Sequence, residues 1–131
     1  MNKILATVFL ALSFQSYAGP YAKEANENPF LDGELNPKYE GELAALSGNI
    51  VKIIALPNGS SLYKLNLNMD GIKPIWVTNI GSFSEGEITK NSKVIFRGYI
   101  ASADNLDETG QIRAKTGSET LLLSIKVDSV K

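Results

Sequence analysis

The stretch NSKVIFRGYI, residues 91–100, is rich in β-branched and aromatic side chains, yet it interrupts itself with Arg97 and Gly98. A glycine inside a strand gives up packing and ordering entropy, so its presence there marks a bulge, a bend or a close approach of another backbone. Read at the two-residue period of a strand, Val94, Phe96 and Ile100 fall on a core face and Arg97 points out. Gly98 then marks the place where this strand coils.

Working outward, the neighbouring segments follow the same grammar. LSGNIVKIIAL (46–56) is β-branched and ends at the turn residues PNGSS. SLYKLNLN (61–68) alternates, with Tyr63, Leu65 and Leu67 on one face and Lys64, Asn66 and Asn68 on the other. Asp70 and Gly71 form a favoured hairpin pair. IKPIWVTNI (72–80) then predicts a third strand, whose Pro74 confines its start to an edge or bulge. After the polar loop GSFSEGEITKNS come KVIFRGYIAS (93–102), a longer loop ADNLDETGQIRAKTGS, and a last strand in ETLLLSIKVDSV (119–130). Five short strands must close a barrel or form a sandwich to avoid long exposed edges. Gly48 in the first and Gly98 in the fourth favour a small, strongly coiled barrel, because glycines and bulges are what let strands bend that far.

Taken together, SGNIVKI, the hairpin YKLNLNMDGIKPIWV, the approach ITKNSKVIFRGYI and the closing LLLSIKVDSV resemble an OB-fold over residues 42–131. The order and spacing of strands carry the resemblance. It implies an all-β, five-stranded Greek-key barrel similar to small exported bacterial OB-fold proteins, with at most one helical turn near residues 83–88. It also implies a ligand groove across the second and third strands, rimmed by the loops after the first and fourth. The residues transferred to that groove are Lys64, Asn66 and Asn68 on the second strand and Trp76 on the third, with Lys52 and Arg97 facing outward on neighbouring strands. An aromatic ring among cations and amides can stack a base or a sugar while its neighbours hydrogen-bond. The competing reading makes Trp76 core and the polar residues a solvated face.

Residues 1–18 read as a cleaved secretory signal: an early Lys3, the apolar run ILATVFLAL, and small residues at Ser16 and Ala18. The run is well short of the roughly 20 residues that span a bilayer, so no membrane span is expected after cleavage. Residues 19–41 read as a poorly ordered acidic extension, rich in Pro, Gly, Asn and acids. Residues 19–48 hold two cations against six anions, whereas ten cations face eight anions from Asn49 onward. The expected location is periplasmic or secreted.

With no cysteine and no histidine, thiol nucleophiles, imidazole bases and structural zinc sites are excluded. Glu85 and Glu87 sit in a polar loop with no apolar pocket to shift a pKa, and Ser60 and Ser61 belong to turn chemistry, so no catalytic role is expected. Copper(I) carriage favours thioether and imidazole ligands, of which only Met69, in a hairpin turn, survives cleavage. Asp104, Asn105, Asp107 and Glu108 offer oxygens to calcium without the spacing of a calcium loop. No cofactor or metal is expected. A net charge near minus two after cleavage disfavours a nucleic-acid track, which must neutralise phosphates. The expectation is a non-enzymatic binding module for an oligosaccharide, a peptide or an envelope protein, with single-stranded nucleic acid as the alternative.

Overall fold

A computed structural model describes residues 20–57, 60–83 and 88–129. The expected leader, Asn58 and Gly59 of the first turn, and Glu85 and Glu87 lie outside the described residues. Five long strands form a closed barrel: β3 (Leu43–Ala55), β4 (Ser61–Asn66), β5 (Ile75–Phe83), β6 (Lys93–Ser102) and β7 (Thr120–Ser129). Before them come α1 (Ala22–Glu27), a minimal hairpin of β1 (Phe30–Leu31) and β2 (Glu34–Leu35), and a 3₁₀ turn at Pro37–Tyr39. Two short helices, α2 (Ala103–Leu106) and α3 (Gln111–Thr116), lie between β6 and β7. The barrel runs β3-β4-β5-β7-β6 and closes back on β3. All its pairings are antiparallel except β5 with β7. A closed five-stranded barrel of this kind is compatible with an OB-fold.

β3 is long because it serves two partners. Leu43 to Asn49 pair with β6, and Asn49 to Ala55 pair with β4, with one extra residue on β3 between Ile50 and Lys52. Where these ladders change over, Gly48 lies under the end of β4: a Cβ there would fall on the Asn66 carbonyl oxygen and 2.8 Å from its carbon. Gly98 answers to the same constraint across the barrel. A side chain at Gly98 would strike the Leu123 carbonyl oxygen and come within 2.6 Å of the Ser124 Cα. The β6–β7 register slips by one residue at that point, Arg97 facing Lys126 and Gly98 facing Ser124, so Ile125 is a bulge. The Ser124 hydroxyl closes the bulge by donating to the Lys126 carbonyl at 3.0 Å.

Inside the barrel, Leu46, Ile50, Leu65, Val77, Val94, Phe96, Ile100, Leu122 and Val127 form the main core. Val94, Phe96 and Ile100 are thus where the two-residue period puts them, and Arg97 is exposed. The third strand starts at Ile75 rather than Ile72, because the preceding residues are spent on connections. The Ile72 N–H closes the turn on the Met69 carbonyl, that of Lys73 bonds to the Gly33 carbonyl, and Pro74 has none.

Residues 20–41, read from composition as a poorly ordered extension, carry local structure and pack on the barrel. Leu35 is 1 % exposed within the main core, and its carbonyl accepts from the buried Thr120 hydroxyl at 2.9 Å. The Glu42 carboxylate, 3 % exposed, accepts from the Tyr21 N–H at 2.7 Å. Tyr21 and Tyr39 rings lie 5.8 Å apart, with the Lys38 ammonium 4.8 Å from the Tyr21 ring. Composition misled here because acids and turn residues dominate the count, whereas Leu35, with Phe30 and Tyr39 packed against the same core, and a few hydrogen bonds make the attachment.

Candidate functional site

Three of the residues proposed for the outer face stand in one row. The pairing registers set Lys52 opposite Lys64 and Lys64 opposite Trp76, across β3, β4 and β5. Trp76 alternates with Ile75 and Val77, so its ring projects away from the barrel interior, as the strand period requires. It is nevertheless only 5 % exposed. A second apolar cluster encloses it, made of Leu62 on β4, Leu121 on β7, Ala103 on α2 and Ile112 on α3. The ring is neither barrel core nor an open stacking platform.

The cover is built from the segment predicted as a loop, and its helices are too short for a sequence period to reveal. The Ser102 hydroxyl caps α2 by accepting from the Asn105 N–H. Gly110 and Gly117 bracket α3 in the left-handed region, at φ 78° and 70°. Three of the four residues weighed as calcium ligands, Asp104, Asn105 and Asp107, have structural partners instead. Asp104 pairs with Arg113 at 2.7 Å, and Arg113 also reaches Glu119 at 3.3 Å. The Asn105 amide donates to Glu40 at 2.6 Å, tying α2 to the N-terminal segment. Asp107 accepts from both the hydroxyl and the N–H of Thr109, and these bonds hold its carboxyl below its ordinary value. Among the described residues, no group of three or more acidic side chains is placed to hold a metal ion.

What the cover leaves open is the cation pair. Lys52 is exposed and Lys64 half-buried, with the Lys64 ammonium 5.7 Å from the Trp76 ring centre. No described carboxylate pairs with either lysine. Like charges facing each other across a strand pair are unfavourable unless something anionic compensates them. Beside the covered ring runs a shallow groove of about 460 Å³, lined by Thr78, Ile80, Leu106, Ile112 and Leu123 among others. Ile80, 68 % exposed, is its most open apolar side chain.

The remaining expected site residues go elsewhere. Asn66 and Asn68 build the turn that ends β4: the Asn66 side chain accepts from the Asn68 N–H at 3.0 Å, and Asn68 sits at φ 58° and donates its amide to Asn49 at 3.0 Å. Arg97 pairs with Asp128 at 2.6 Å and lies opposite Ala45, seven residues along β3 from Lys52. At roughly 3.3 Å per residue that is on the order of 20 Å along the strand. It takes no part in the lysine row.

One further concavity was not anticipated. A groove of about 550 Å³ lies between the N-terminal segment (Ala25, Pro29, Phe30) and the first half of β3 (Ala44 to Gly48), lined also by Leu67 to Met69, Glu27 and Lys93. In the structure β3 has 13 residues and β4 six, so part of the β3 edge on that side lacks a partner in β4; strands read at 46–56 and 61–68 did not show this mismatch. No protein-family model matches the chain, and no curated protein is significantly similar to it.

Proposed function

We propose that this chain is an exported OB-fold binding module, with no catalytic role, that recognises an oligosaccharide, peptide or protein partner of the bacterial envelope through an anionic group held between Lys52 and Lys64. The observation that carries the reading is the pair itself: two cations in register on the outer face, next to a tryptophan, without a described counter-charge. The strand order and the face on which the row lies support the OB-fold assignment. Removal of residues 1–18 on export is part of the same proposal and rests on the sequence.

Burial of Trp76 weighs against single-stranded nucleic acid, because sequence-tolerant binding of single strands relies on open ring faces that stack successive bases. Two lysines also make a short track for a phosphate backbone. Binding of the exported protein to arrays of acidic glycans and acidic peptides, with a single-stranded oligonucleotide as comparison, tests the reading. Ligands should be lost in Lys52→Glu and Lys64→Glu, and binding should weaken as salt rises. A ligand set unaffected by either charge reversal would show that the row is not the site.

A further inference from the structure

The free edge of β3 raises a question about what the large groove holds. Glu42 accepts from the Ile100 N–H, while Ile50 donates to the Ser92 carbonyl and accepts from the Asn91 N–H. Both ends of this half-strand therefore turn their backbone groups toward β6 and the residues leading into it. Antiparallel ladders alternate, and the β3–β6 register is unbroken from Leu43 to Asn49. Ala44, Leu46 and Gly48 accordingly bond on the β6 side, and Leu43, Ala45 and Ser47 aim their N–H and carbonyl groups at the opposite edge.

On that opposite edge the β4 ladder stops at Asn49 and Asn66. The Asx turn at Asn66, with Asn68 in the left-handed region, carries the chain away before it reaches Ser47. No described residue outside the sheet donates to or accepts from the backbone of Ala45 or Ser47. The 550 Å³ groove lies along this stretch, and Ala45 and Ser47 are small and exposed, so their side chains leave a second backbone free to approach.

We infer that the unpaired edge of β3 at Ala45 and Ser47, with the groove beside it, takes up an extended polypeptide segment of a partner protein as an added strand. Two sets of backbone donors and acceptors, spaced two residues apart, match an extended main chain; a sugar or a base has no such repeat. Open strand edges are otherwise blunted by charge, proline or cover, and residues 43–48 contain neither a charged residue nor a proline. The lining holds one cation, Lys93, and one anion, Glu27, so the occupant needs no net charge. This surface is separate from the lysine row, and its salt response separates the two: a main-chain ladder is nearly insensitive to ionic strength, whereas a lysine-held anion is not.

A phage library of random linear dodecapeptides, selected on the exported protein and followed by NMR of the enriched peptides in complex, tests the inference. The expected result is amide protection rising at least tenfold at Ala45 and Ser47, with no comparable rise at Leu46 and Gly48, which are already bonded to β6. Ser47→Pro should weaken binding at least tenfold while keeping the native spectrum, since it deletes a donor that no ladder uses. If Ser47→Pro does not fold, the protection pattern in the unaltered protein decides. Failure to enrich any peptide, protection elsewhere, undiminished binding by folded Ser47→Pro, or a dimer that pairs β3 with β3 and excludes peptide would each overturn it.

Discussion

At the scale of single residues, two glycines do what no other side chain permits. Gly98 sits opposite the β7 bulge and Gly48 beneath the end of β4, and in both a Cβ would collide with backbone, which cannot swing aside as a side chain can. Gly98→Ala should therefore cost about 2 to 4 kcal/mol in urea unfolding, well beyond the usual strand penalty for glycine itself; an unchanged midpoint would mean that β7 does not pass where it is described. The interruption in NSKVIFRGYI was read as the place where the strand coils; that the β7 backbone crowds Gly98 depends on the closure of the barrel and was not legible. Asp107 gives a second residue-level test. Its carboxyl is held low by bonds from Thr109, so the bonded form is fully present above the ordinary aspartate value and is lost as pH falls through the lowered one. The Thr109 amide shift should titrate below the ordinary aspartate range, and a midpoint at or above that range would show that the bonds do not form.

At the scale of elements, what the sequence conceals is anything shorter than its own period. β6 was read at its observed bounds because ten residues display five cycles of alternation. α2 and α3, at four and six residues, barely complete one turn, and helices so short are held by packing rather than by propensity. Ala103 and Ile112 look like ordinary loop residues until Leu62, Trp76 and Leu121 are placed against them. The N-terminal segment follows the same rule, since Leu35 is an isolated leucine among acids and turn residues. Leu35→Ala should lower stability by about 2 to 4 kcal/mol because it empties a site in the main core. A change below about half a kcal/mol would mean that the segment rests on the barrel without contributing to it. In the candidate site, alternation was enough to place Lys64 and Trp76 on the outer face, whereas Lys52, two residues from the buried Ile50, reaches that face only because the extra residue between them shifts the period. Alternation could not show that the ring is covered, that Asn66 and Asn68 are consumed by a turn, or that Arg97 lies far from them.

At the scale of the molecule, N-terminal segment, barrel and helical cover are joined by contacts that cross between them: Leu35 in the core, Asn105 on Glu40, Lys73 on Gly33. The described structure leaves two surfaces available, a lysine row that favours an anion and a strand edge that favours a main chain. The first depends on how the outer face of β4, β5 and β7 is sealed. If α2 and α3 lifted away, Trp76 would become a stacking platform beside two cations, and single-stranded nucleic acid would regain its case. Trp76 is the one tryptophan in the chain, and side chains from β4, β7, α2 and α3 enclose it, so its emission reports this seal alone. The deciding measurement is acrylamide quenching of tryptophan fluorescence in the purified protein, native and in urea. A closed cover predicts that native Trp76 is strongly protected and becomes freely quenched only on unfolding; native quenching as efficient as that of the unfolded chain would contradict it.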